Sequence, residues 1–186
     1  DPATNEVVET IDVGGQVVCI DATDEAVWVA NTEADTVVRV DAATGAQSPA
    51  SVGDQPRIVS VSDTAVWVTN LGSDSVSRIG RESNQAEAEI AVEDDPRGLI
   101  ADGDDVWVVS YAAGVVTRID ATTNEVASEL DVGGNPVSVV VTAGSVWVAE
   151  SDTDVVIQID PATNTEVARI PVGIDPTALA AQGDAL

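Results

Sequence analysis

The sequence has no histidine, no lysine, no methionine and no phenylalanine, and a single cysteine, Cys19. Without histidine, imidazole acid–base catalysis and His-ligated metal centres are excluded within these 186 residues. A lone cysteine forms no intrachain disulfide. Cys19 lies among small and apolar residues and is expected to be a buried, inert thiol. Seven bases, all arginine, stand against 33 acids, for a net charge of −26. So anionic a surface does not grip a phosphate backbone, which excludes nucleic-acid binding. No apolar run approaches the roughly 20 residues of a membrane-spanning helix. Aromatic residues make up only 3% of the chain. High charge with few aromatics marks disordered chains. Here 44% of residues are hydrophobic, 34 of them valine, which is enough for a core. Lysine-free acidity has two sources: a salt-rich habitat, where screening weakens self-repulsion, and a genome that favours arginine.

What is present is a repeat. Trp28, Trp67, Trp107 and Trp147 recur with a period of about 40 residues, each in a Val-Trp-Val triplet. Pro56, Pro96 and Pro136 precede the last three at one fixed offset, and Val17 takes that place in the first unit. Val40, Ile79, Ile119 and Ile159 follow the four at a second fixed offset. A turn comes next: Asp41 to Gly45, Asp120 to Asn124 and Asp160 to Asn164, with the same text in Asp1-Pro2-Ala3-Thr4-Asn5. Each unit divides into four short Val/Ile-rich runs bounded by Gly, Asp, Asn, Ser and Pro, which read as strands. No window holds a helical period.

Four strands in about 40 residues make the blade of a β-propeller, whose faces are covered by neighbouring blades. The expected fold is therefore all-β, with four-stranded antiparallel blades. Residues 1–186 form a single domain, with repeats at about 14–52, 53–92, 93–132 and 133–172. The strand after the proline is innermost, the Trp strand second, and the strand after the Asp-x-x-Thr turn outermost. Residues 1–13 supply one outer strand and 173–186 one inner strand, so the expectation is a partial propeller. Two readings of that stay open: a piece of a longer propeller, and a half-propeller that pairs with a second copy.

Trp67-Val68-Thr69-Asn70 and Trp28-Val29-Ala30-Asn31, within the surrounding Asp-Pro-Ala-Thr-Asn and Val-Gly-Gly-x-Pro text, resemble the motif of the YVTN-repeat β-propellers. Ser110 and Glu150 replace the Asn in the last two units. The resemblance covers the whole chain and implies a secreted or cell-surface protein, mostly without an assigned activity. The repeat is also similar to that of streptogramin (virginiamycin B) lyases. That resemblance implies a catalytic His with Mg2+, and this sequence has no His.

Arg57 and Arg97 follow the inner-strand prolines, on the face that carries the Gly-x-Pro turns. Asp54, Asp94, Asp95 and Asp175 lie in the same turns. They read either as a charged ring for an anionic or polar ligand or as local Arg–Asp pairs that neutralise a crowded rim. Tyr111, the one tyrosine, is expected on a loop of that face. Asp102, Asp104 and Asp105 form the densest acidic turn, with Asp152 and Asp154 a second; both read as Ca2+ sites or as solvated turns. Arg39, Arg78 and Arg118 recur in phase, each just before the Val or Ile that ends its strand, with Gln158 in the last unit. They read as packing stems between blades. The four Trp read as structural wedges between blades. The expected function is a non-enzymatic scaffold that binds a protein, peptide or glycan through its loop face, without a required cofactor. The alternatives are a piece of a lyase-like enzyme and a subunit that self-associates through open propeller edges.

Overall fold

The computed structural model describes residues 3–181, 183 and 186. Asp1, Pro2, Gln182, Asp184 and Ala185 of the expected terminal pieces lie outside the described residues. The described residues form sixteen strands and no helix, in four antiparallel sheets of four consecutive strands. Blade 1 comprises β1 (Val17–Ala22), β2 (Ala26–Asn31), β3 (Thr36–Asp41) and β4 (Gln47–Ser51). Blade 2 comprises β5 (Pro56–Val61), β6 (Ala65–Asn70), β7 (Ser75–Gly80) and β8 (Ala86–Ala91). Blade 3 comprises β9 (Pro96–Asp102), β10 (Asp105–Ser110), β11 (Val115–Asp120) and β12 (Glu125–Asp131). Blade 4 comprises β13 (Pro136–Thr142), β14 (Ser145–Glu150), β15 (Val155–Asp160) and β16 (Thr165–Pro171). The result is an arc of four propeller blades.

The strands end where aspartates turn the chain. Asp35, Asp74 and Asp154, between second and third strands, take the left-handed conformation, with Gly114 at the same place in unit three. Asp tolerates that region because its short side chain bonds locally. Each of these carboxylates also accepts an N–H of the next unit's inner turn: Gln55 at 2.9 Å, Asp95 at 3.1 Å and Asp175 at 2.8 Å. Asp41, Asp120 and Asp160 close the turns between third and fourth strands. Bonds led by the Thr44 hydroxyl, the Thr123 N–H and the Ala162 N–H hold these carboxyls below their ordinary value.

Blades join by a repeated socket. Side chains alternate along a strand, so the Trp of one blade faces the next, while its flanking valines face the blade before. Trp28 clusters with Val59, Val66, Val68 and Ile79. Trp67 clusters with Leu99, Val106, Val108 and Ile119. Trp107 clusters with Val139, Val146, Val148 and Ile159. All three indoles are 1% exposed. Arg39, Arg78 and Arg118 lie over these rings at 5.8, 5.5 and 5.4 Å, so the expected packing stems are found. The tips cross the joint: Arg78 Nη1 donates to Asn124 Oδ1 and Arg118 Nη1 to the carbonyl of Pro161.

The inner strands meet near the axis. Asp21 Oδ2 accepts the Val61 N–H and Ser60 Oγ accepts the Ala101 N–H across successive blades. At Gly98 a Cβ would stand 2.6 Å from Val109 Cγ2 and 3.1 Å from the Val137 carbonyl, so the approach of β9 and β13 requires glycine.

Three expectations need correction. Trp147 is partly exposed, because it lies on the face of blade 4 turned away from blade 3. Cys19 is half-buried, since β1 has a neighbouring blade on one side only. The terminal segments occupy the places of an outer and an inner strand but join no ladder among the described residues. Gln47 Nε2 donates to the Asp12 carbonyl beside β4, and the Leu179 N–H donates to Ser138 Oγ beside β13. Among the described residues neither segment has a middle strand beside it.

Candidate functional site

The propeller has two axial mouths. The upper carries the Gly-x-Pro turns and the turns between second and third strands. The lower carries the turns between first and second, and between third and fourth, strands.

At the upper mouth the structure brings together Arg97, Asp95 and Tyr111. Arg97 Nε donates to both Asp95 oxygens at 2.9 and 3.0 Å, and its Nη2 lies 2.8 Å from Asp95 Oδ2. The guanidinium stacks 3.8 Å from the Tyr111 ring centroid. The hydrogen bonds to Asp95 raise the Arg97 pKa, and the group is a permanent cation. Tyr111 is therefore covered by Arg97 instead of projecting freely into solvent. Asp54, Asp94, Asp175 and Arg57 are exposed and lie outside this cluster. Asp54 serves its turn, its N–H donating to Ser73 Oγ and its carbonyl accepting from Gly72. Asp175 takes a left-handed conformation against Asp154. The geometry is that of a local Arg–Asp pair, not a ring.

Glu150, where the other units have Asn31, Asn70 and Ser110, is fully buried. Its carboxylate accepts the N–H groups of Asn135, Asp152 and Thr153 and the Thr153 hydroxyl. Burial pushes this carboxyl up, and the four bonds outweigh it, so the group stays below its ordinary value. Gly134, with φ +58°, has no room for a Cβ beside this carboxylate. Glu150 thus closes its turn from within. Its signal in the sequence was the loss of the Asn.

The acidic turn of unit three does not gather its carboxylates. Asp105 forms a two-pronged pair with Arg118, at 2.7 Å for each bond. Asp102 and Asp104 are exposed. Asp154 is engaged as a turn latch, and Asp152 is exposed. Among the described residues no three acids converge as cation ligands.

Asp102 and Asp104 do line a depression of about 440 Å3 at the lower mouth where blades 1, 2 and 3 meet. Thr23, Ser62, Asp63, Thr64 and Arg81 complete its polar wall. Two smaller hollows of about 280 and 340 Å3 adjoin it, and all three share Asp63 and Arg81. Arg81 is held by Glu25 Oε2 at 3.2 Å and by the Asp63 carbonyl. The carboxylates of Asp63, Glu82, Asp102 and Asp104 stay exposed around it. Sequence reasoning passed over Arg81. Its signal was a break in phase, since Ala42, Ala121 and Pro161 hold that place in the other units.

No family model and no curated protein matches the chain. Among solved structures it is similar to hydrazine synthase of Kuenenia stuttgartiensis, at 21% identity and a TM-score of 0.79, over 88% of this chain and 51% of that one. It is similar to a streptogramin B lyase, at 20% identity and a TM-score of 0.76, over 87% of this chain and 57% of that one. The WD40 repeats of RRP9 match at 11% identity and a TM-score of 0.71, over 81% of this chain and 50% of that one. At such identities the likeness shows the propeller fold alone. The chain spans about half the length of these structures.

Proposed function

We propose that this chain is a non-enzymatic binding scaffold that takes a cationic peptide segment of a partner protein in the lower-mouth depression. The observation that carries the reading is the meeting of three hollows at Asp63 and Arg81. The carboxylates there outnumber the two arginines, Arg81, which pairs with Glu25, and Arg39, which pairs with Asp41. A cleft lined by one sign of charge focuses its field and favours ligands of the opposite sign. Threonine and serine hydroxyls supply neutral hydrogen bonds beside the carboxylates. No metal ion, cofactor or bond-making step belongs to this reading. The resemblance to YVTN-repeat propellers supports a secreted or surface location.

Calorimetric titration with an arginine-rich octapeptide tests it. The expected result is binding that weakens with added salt. Asp63→Asn combined with Asp102→Asn should weaken it about tenfold, at roughly 0.7 kcal/mol per charge. Equal affinity for wild type and the double variant would place the peptide elsewhere on the acidic surface and overturn the assignment.

A further inference from the structure

The outer halves of the joints repeat as the Trp sockets do, and one of them holds a guanidinium. In blade 4, Arg169 stands opposite Ile157 across β15 and β16. Its Nε donates to both Glu166 oxygens at 2.9 and 3.0 Å. Its Nη2 reaches across the joint to the carbonyl of Val132, at 2.6 Å. Val132 follows the outer strand of blade 3, and its N–H bonds the Gly114 carbonyl of its own blade. A carboxylate and a main-chain carbonyl of the preceding blade thus hold the guanidinium in the cleft. In the joint of blades 1 and 2 the same places belong to Glu89, opposite Ser77, and to Val52, whose N–H bonds the Asp35 carbonyl. An acid stands there where blade 4 has its arginine. The cleft is open as a hollow of about 300 Å3, lined by Ser51, Val52, Ser77, Glu87, Glu89 and two alanines. Its wall carries two carboxylates and no cation.

We infer that this hollow binds an arginine side chain of a partner polypeptide, in the manner of Arg169 in the joint of blades 3 and 4. The guanidinium donates to the Val52 carbonyl and to the Glu89 carboxylate. Among the described residues no side chain donates to that carbonyl. Glu89 is set in place beforehand: its Oε1 accepts the Ser75 hydroxyl at 2.8 Å, and Ser75 Oγ accepts from Asn70 Nδ2. Its Oε2 is left for the ligand. Glu87 adds a second carboxylate, shared with Arg78 Nε at 3.4 Å. Ser77, 2% exposed, closes the wall between them and the preceding blade. The planar fork of a guanidinium spans a carboxylate and a carbonyl at once, which the point charge of a lysine does not. The joint of blades 2 and 3 keeps Glu129 and Val92 at these places but has Ala127 in that of Glu87. Two acids therefore meet in one joint alone of the three. The site is separate from the 440 Å3 depression of the lower mouth, with which it shares no lining residue. Glu87 borders the smaller hollow of about 340 Å3 as well.

Amide NMR of the isotope-labelled whole chain, titrated with an end-blocked Gly-Arg-Gly peptide and with its Gly-Lys-Gly counterpart, tests this. The arginine peptide should give saturable shifts at the amides of Val52, Ser77 and Glu89, weakened by added salt. The lysine peptide should bind about fivefold more weakly at the same amides. Amides of Asp63 and Asp102 read the lower mouth separately in the same spectra. Glu89→Gln keeps the shape of the wall and should weaken arginine binding about tenfold. Glu89→Arg copies blade 4 and should abolish the saturable shifts at Val52 and Ser77, its own guanidinium taking the cleft. Glu89 is exposed, so both variants should keep the β circular dichroism of the parent. The comparison of arginine with lysine on the parent needs no variant. Shifts that fail to saturate at Val52 and Ser77 overturn the inference, as does equal binding of the two peptides. Arginine binding that ignores Glu89→Gln, or that survives Glu89→Arg, also overturns it.

Discussion

Trp67 and Trp147 hold one position of one repeat. Trp67 is 1% exposed among Leu99, Val106, Val108 and Ile119, with the Arg78 guanidinium 5.5 Å from its ring. Trp147 is partly exposed beside Gln158, its Nε1 donating to the Thr142 carbonyl. The closed joints and the end face differ in what lies opposite and in the residue beside the indole, Arg78 in one and Gln158 in the other. A shared Val-Trp-Val triplet thus yields a buried wedge in one blade and a partly exposed indole in another.

The comparison is most directly broken by removing each indole. Trp67→Ala empties a closed socket and should cost about 4 kcal/mol, a fall of about 10 °C in melting temperature for a chain of this size. Trp147→Ala should cost about 1 kcal/mol, because part of its surface already meets water. Equal losses in thermal denaturation would mean that the end face of blade 4 is as closed as the joints.

Glu150 sharpens the contrast from the turn of the end blade. Glu150→Ala strands the N–H groups of Asn135, Asp152 and Thr153 and should cost about 2 kcal/mol at neutral pH. The sign of its pH dependence follows from the lowered folded-state pKa. The contribution is present above the ordinary value of 4.5 and is lost as pH falls through the folded value. Melting curves from pH 7 to pH 3 should therefore show the gap between parent and variant narrowing below about pH 4.5. A gap that widens in acid would contradict the bonding described.

The smallest effect belongs to the residues beside the indoles. Arg118→Ala removes a cation over Trp107, a two-pronged pair with Asp105 and a bond across the joint to Pro161. About 1 kcal/mol is expected in chemical denaturation, since the pair is partly exposed. Gln158→Ala, in the end blade, should change little, as it loses a bond to Ser145 Oγ. A larger loss at Gln158 than at Arg118 would reverse the distinction between joint and end.

Much of the fold was legible because a strand's partners are close in sequence and its faces alternate. The Trp spacing, the Val/Ile runs and the aspartate turns specify four hairpin-connected strands per unit, and the structure has them. The candidate site was less legible. Arg97 and Asp95 are close neighbours in one turn, so their pairing is legible in the sequence. Asp105 was grouped with its neighbours in the turn, yet it turns to Arg118 on the adjacent strand. Arg81 and Asp63 are drawn together with Asp102 of the next blade and Thr23 of the one before, a convergence no local pattern records.

The sequence by itself determined the repeat unit, the strands in each blade and the turns between them, because backbone pairing and side-chain alternation act over short stretches of chain. Only the tertiary structure decided which copy of each repeated residue is buried. A socket is filled only when a neighbouring blade supplies its Trp, and Trp147 and Ile20 face outward at the two ends of the arc. The stacking of blades likewise set the lower mouth, where Asp63, Arg81 and Asp102 share one space.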